Sequence, residues 1–359
     1  MNTLQTKDRD IVSLAKAVGI ILVVFAHAIP TEHMLFDTIY SFHMPLFFIM
    51  SGYCFKEIYL GNAKQFVVKK LKGIWLPFIL FSLPFLALHN VFCSLNLYDS
   101  ADIYDMRRFL WDAGRIVTRM SHNEDFLRTF WFLKELFWGN LIFYGLLKLW
   151  KGRAIPTTIS LLVLSEVAIL THFRIPYFGI TFLPIFAAFY IAVGYSWRHG
   201  EWQLDRWWKW LIGIFVMAIT IVLNYHSFHS FMVNVTQLSL PLSVLPAIAG
   251  TMMVFELCRY LQQYLNGWGR SLMLYIGNHS LFIMALHFLA FKIVLLLEIK
   301  VYDLPIEKLS ELPIIYDNVH MWSIIMCTIL GVLLPLGVAW VWQKSIGGIK
   351  ELRSERVKE

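Results

Sequence analysis

Long apolar runs separated by short polar stretches dominate the chain. A membrane span needs ~20 largely apolar residues, because the bilayer core is ~30 Å thick and a helix rises ~1.5 Å per residue. Runs of this kind fall near 11–29, 39–58, 74–95, 130–149, 154–172, 177–197, 207–225, 238–258, 271–297 and 319–343. The pattern predicts an all-α polytopic membrane protein of about ten transmembrane helices. Residues 1–345 form the expected transmembrane domain and 346–359 a short basic tail. No internal repeat that would suggest paired transporter halves is visible.

The polar positions set the expected orientation. With the N-terminus inside, twenty of the 31 Lys and Arg residues fall on the cytoplasmic side and eight outside; Lys16, Lys134 and Lys292 lie within spans. This asymmetry places both termini in the cytoplasm. Five of the eight outer charges lie in 98–128, where Arg107, Arg108, Arg115 and Arg119 suit a surface helix. Ala17 to Phe25, followed by Ala26-His27-Ala28, resembles a signal peptide and its cleavage site. The preceding Lys7-Asp8-Arg9-Asp10 is charge-neutral and many spans follow, so an uncleaved first span is expected.

Composition agrees with the pattern. Hydrophobic residues make up 58% and charged residues 15%, against ~25% charged in soluble domains. A disordered chain or a small disulfide scaffold is excluded. The net charge of +7 follows from the inside bias, so no nucleic-acid partner is expected. Cys54, Cys93, Cys258 and Cys327 lie far apart without CxxC spacing and read as packing residues. His226 and His229 have HxxH spacing but no third ligand nearby, so no metal is expected. There is no phosphate-cradling Gly-rich loop and no GxSxG elbow.

Candidate chemistry concentrates in the first two spans. Lys16 and His27 are eleven residues apart in LAKAVGIILVVFAHAIP. At ~100° per residue they share a helix face within ~20°, separated by ~16 Å along the axis. Ionisable groups inside membranes are expensive and mark function. The alternative is that Lys16 snorkels to the inner surface and His27 satisfies a helix-end carbonyl. His43 enters the membrane where His27 leaves it, and Pro45 suits a first-turn position. Two imidazoles at one depth make a proton-handling pair, unless His43 is an interfacial cap. Ser51 and Gly52 suit close helix packing.

Farther on, Thr129 to Phe137 carries Trp131, Lys134 and Glu135, the last two facing different partners. His287 lies in the outer half of its span, so His27, His43 and His287 are expected to line one cavity; a core histidine is the rival reading. Lys64, Lys69, Lys70 and Lys72 form a basic run able to meet phosphates, or lipid headgroups.

Together these segments resemble the membrane-bound acyltransferase 3 family, whose members acylate sugars of exported or surface glycans. Lys16 and His27 match its signature of a basic residue, ten residues and His. Phe42 to Gly52 match its FxMPxFFxxSG-like segment. Trp131-Phe132-Leu133 and Gly277 to His287 resemble two later segments. Where many members carry Arg, this chain has Lys16, as in the subgroup of fucose 4-O-acetyltransferases and intercellular-adhesin modifying proteins; lysine keeps the charge but loses the bidentate fork. Unlike members with an added SGNH hydrolase-like domain, the chain stops soon after its last span and is expected to work alone.

The resemblance implies an integral-membrane O-acyltransferase, an O-acetyltransferase, of the bacterial cytoplasmic (inner) membrane. Its donor would be a cytoplasmic acyl-CoA such as acetyl-CoA, used as co-substrate with no bound cofactor. Its acceptor would be a hydroxyl of a surface or exported glycan, or of a lipid-linked precursor. His27 would be the general base with His43 beside it, while Lys16, Lys69 and Lys72 would hold the nucleotide end. Trp131, Glu135 and His287 would complete the substrate site. The alternative is a polysaccharide exporter or flippase, which ten helices with buried charges would also serve.

Overall fold

The computed structural model describes residues 6–31, 33–175, 179–199, 206–225 and 240–355. Among them the regular elements are helical, with one isolated bridge between Ile175 and Ile180. The first half carries α1 (Thr6–Ala28), α2 (Met34–Tyr40), α3 (His43–Tyr53), α4 (Ala63–Lys70), α5 (Leu76–Ser94), α6 (Met106–Arg119) and α7 (Trp131–Leu149). The second carries α8 (Ala154–Leu170), α9 (Leu183–His199), α10 (Arg206–Tyr225), α11 (Leu240–Tyr264), α12 (Gly267–Asn278), α13 (Ser280–Tyr302) and α14 (Met321–Glu355). His226 and His229 lie outside the described residues.

Among the described residues, five stretches are long and apolar enough to cross a bilayer: Asp8–Ala28, Ala63–Ser94, Ser243–Tyr264, Ser280–Tyr302 and Met321–Ser345. The shorter apolar helices Ala154–Leu170 and Trp207–Leu223 fall below that length. The run 39–58 is not one helix. Phe42 leaves the helical region at φ −133°, separating α2 from an α3 of 11 residues, which covers about half the bilayer at ~1.5 Å per residue. The run 74–95 instead begins at Ala63, where the Asn62 side chain accepts the Gln65 N–H, and α4 continues into α5 through a π-turn at Leu71–Trp75. The run 271–297 breaks at His279 into α12 and α13. The surface helix expected within 98–128 is α6, capped by Asp105 on the Arg108 N–H.

α1 is the centre of one group of helices, packing on α3, α11, α12, α13 and α14, while α9 packs on α3, α7 and α8. α3 therefore joins the two groups, and glycine makes the joint possible. A Cβ at Gly52 would stand 1.8 Å from the Ile191 carbonyl oxygen, and one at Gly194 equally near that of Ile49. In lipid, where burial of apolar surface does not drive helices together, such backbone contact is what holds them. Ser51 adds a hydrogen bond from Oγ to Asn140 Oδ1 (3.1 Å) across to α7.

Two connecting segments complete the fold near the start of α7. His89 on α5 bonds Glu124 Oε2 through Nδ1 (3.1 Å) and the Asp102 carbonyl through Nε2 (2.7 Å), pinning the α5–α7 connection. Between α13 and α14, the buried Lys292 donates from Nζ to the carbonyls of Leu309 (2.6 Å) and Glu311 (2.7 Å). That fixes a strap, residues 303–320, against α13.

Candidate active site

α1 carries both ends of the site. Its single face of Lys16, Ile20, Val23 and His27 lines one cavity of about 680 Å³, within the ~300–1,000 Å³ of small-molecule pockets. At the Lys16 end the cavity meets Lys69, Lys70 and Gly73 of the α4–π-turn region, and Cys54 after α3. Lys16, Lys69 and Lys70 lie within electrostatic reach of one another or of Cys54. Lys69 donates to Tyr59 Oη (2.9 Å), and the Lys70 ammonium lies over the Phe66 ring. Among the described residues neither Lys16 nor Lys70 has a carboxylate partner. Uncompensated, partly buried ammonium groups are costly, so an anion placed there gains strongly.

At the other end His27 sits in a cluster of rings. Tyr40 Oη lies 3.0 Å from His27 Nδ1, and the His287 ring stacks on His27 at 5.4 Å between centroids. Phe288 meets the same imidazole at 4.9 Å. His43 packs edge-on to Tyr40 at 4.6 Å and donates from Nδ1 to the Ile39 carbonyl (2.8 Å). In a neutral ring that donation leaves the His43 lone pair on Nε2. Between the two ends the walls are apolar, with Met44, Phe47, Phe132, Leu133 and Leu136. A cationic end, an apolar passage and an imidazole cluster make a site that fits a long ligand with a charged head and a reacting tip.

A model of the acyltransferase 3 family, described as an acyltransferase domain, matches residues 10–341. The chain belongs to that family. No curated protein and no solved structure matches it. As an acyltransferase 3 member it is a membrane enzyme that transfers acyl groups.

The structure gathers five of the acyltransferase's expected site residues on this cavity: His27, His43, Lys16, Lys69 and Trp131. His287 does not line it. It is fully buried behind His27, its Nδ1 bonded to the carbonyls of Ile283 and Met284 (both 3.0 Å) and its Nε2 without a partner. Lys72 and Glu135 lie off the cavity. Lys72 falls in the π-turn and stays off the lining, while Lys70, the last residue of α4, joins Lys69 on it. Glu135 is buried with Oε2 unpartnered, ~100° around α7 from the lining residue Leu136. Its neighbour Lys134 donates to the Gly179 carbonyl (2.6 Å), a tie between α7 and the segment before α9.

Among the lining residues that the sequence did not single out are Tyr40, Lys70 as distinct from its neighbours, Arg128 and Tyr316. Tyr40 precedes His43 by three residues across the α2–α3 break. Arg128 precedes Trp131 by the same spacing. Tyr316 belongs to the strap, where no periodic pattern marks it.

Proposed function

We propose that this acyltransferase is an O-acetyltransferase of the bacterial cytoplasmic membrane, moving an acetyl or related acyl group from cytoplasmic acyl-CoA to a hydroxyl of a surface or exported glycan or its lipid-linked precursor. The observation that carries the reading is the single cavity running along α1 from Lys16 to His27. Acyl-CoA is polyanionic at one end and electrophilic at the other, and its phosphates do not cross a bilayer. The three lysines hold the phosphates near the inner face, the apolar walls take the pantetheine arm, and the thioester arrives beside His27. The excess of basic residues on the connections at the Lys16 side assigns that side to the cytoplasm.

His27 acts as the general base. With Nδ1–H donated to Tyr40 Oη, its Nε2 lone pair takes the proton of the acceptor hydroxyl as that oxygen attacks the thioester carbonyl. The C–O bond forms, the C–S bond breaks, and the proton on His27 passes to the leaving CoA thiolate. Tyr40 holds the ring by its Nδ1 edge, and His287 and Phe288 hold its plane. His43, one ring away through Tyr40, completes the proton-handling group.

The test uses purified full-length protein, acetyl-CoA labelled in the acetyl group, and membranes bearing the glycan. Free CoA and labelled glycan should appear in equal amounts. Glycan moved across the membrane with no CoA released would favour the exporter reading instead.

A further inference from the structure

The cavity is lined by four cations and, among the described residues, by no carboxylate. Three of them, Lys16, Lys69 and Lys70, stand at the end that receives the donor phosphates. Arg128 is left over, and it stands at the other end. It precedes Thr129, whose Oγ1 donates to the Met284 carbonyl (3.1 Å), and that same carbonyl accepts from His287 Nδ1 behind His27. Trp131 lines the wall three residues on. Tyr316 of the strap also lines this end and lies within electrostatic reach of Tyr40, the partner of His27. The donor does not account for a guanidinium placed here.

We propose that the His27 end is an acceptor subsite for a saccharide bearing an anionic group, a carboxylate or a phosphate, close to the hydroxyl that is acylated. This rests on the reading that donor and acceptor enter from opposite ends. Arg128 supplies the counter-charge. Asp125 binds it from outside the lining, taking Nε (2.9 Å) and Nη2 (2.7 Å) on one carboxylate oxygen, so the guanidinium is held by one edge. The Nη1–Nη2 edge is left for a ligand, and a planar fork is the donor that suits carboxylate and phosphate alike. Trp131 and Tyr316 offer flat apolar faces to the ring of the sugar. Lys292, within electrostatic reach of Arg128, is committed to the strap carbonyls and does not line the cavity.

The experiment is a thermal-shift titration of the detergent-solubilised full chain with four probes: CoA, methyl glucuronide, glucose 1-phosphate and neutral methyl glucoside. Wild type, Arg128→Gln, Arg128→Lys and Lys16→Ala are compared. Arg128 is more than half exposed (59%), so water screens its contact and the anionic glycosides should bind about 2- to 5-fold more tightly than the neutral one. Arg128→Gln should erase that preference and leave the CoA titration as in wild type. Lys16→Ala should do the reverse. Arg128→Lys should keep most of the preference, which covers the case in which Gln disturbs the Asp125 pair. Equal binding of neutral and anionic glycosides by wild type, no shift with either anionic glycoside, or a preference that survives in Arg128→Gln would overturn the proposal. If CoA fails to bind wild type while the anionic glycosides still do, the donor assignment falls and the acceptor subsite stands. The carboxylate and phosphate arms tell which anion the subsite prefers.

Discussion

Replacing His27 by Gln should abolish acyl transfer while the protein still inserts and folds. The imidazole packs against Tyr40, His287 and Phe288 at the end of α1, past the apolar face that seats α1 on its neighbours. Glutamine keeps much of the volume and a hydrogen bond to Tyr40 but takes up no proton. A positioned general base contributes about 10²–10⁴-fold in rate, so kcat should fall by that factor with donor KM little changed. Activity is read as acetyl transfer per unit of purified, monodisperse protein. Near-wild-type kcat in His27→Gln would remove His27 from the chemistry and leave His43 as the candidate base.

Lys16→Ala should act on the donor instead. A charge-assisted contact to phosphate is worth about 1.5–3 kcal/mol, which converts to a roughly 10- to 150-fold rise in KM for acetyl-CoA. Lys69 and Lys70 remain, so binding is weakened and not lost. Lys16→Arg keeps the charge and adds a fork that fits phosphate, so donor KM should stay near wild type. The neighbouring position is no place to move the charge. Ala17 is fully buried, and a Cβ added at Gly277 of α12 would lie 3.3 Å from the Ala17 amide nitrogen. If Lys16 only anchors the helix at the membrane surface, donor KM will be the same in Lys16→Ala as in wild type.

What the chain discloses before folding is the part governed by one periodic helix. A spacing of eleven positions from Lys16 to His27 puts both on one face of α1, and the cavity follows that face. The short connection after α1 brings His43 to the depth of His27, and the two meet through Tyr40. Gly52 shows its role in sequence as a small residue in an apolar helix, and the structure supplies the partner, the backbone at Ile191. The remainder depends on interruptions that average hydropathy does not register. The break at Phe42 changes the apolar character of 39–58 very little, yet it divides the run into α2 and α3 and turns Tyr40 toward His27. The π-turn at Leu71–Trp75 carries Lys72, which stays off the lining, and such a local change of helix type leaves no mark in composition. Arg128 and Tyr316 reach the cavity from a 3-10 turn and a strap. Their places follow from tertiary ties, Thr129 to Met284 and Lys292 to Leu309 and Glu311, between residues 155 and 17 or more positions apart.

The central claim is that the donor enters at the Lys16 end from the cytoplasm and the acyl group emerges at His27. Sealed inside-out and right-side-out vesicles from cells making this protein and its glycan test it most directly. Acetyl-CoA labelled in the acetyl group is added outside the vesicles, and the glycan is isolated and counted. Label should enter the glycan in inside-out vesicles, where the cytoplasmic face is exposed, and should stay at background in right-side-out vesicles and in inside-out vesicles carrying His27→Gln. Equal labelling from both orientations, or labelling from the right-side-out vesicles alone, would contradict the account.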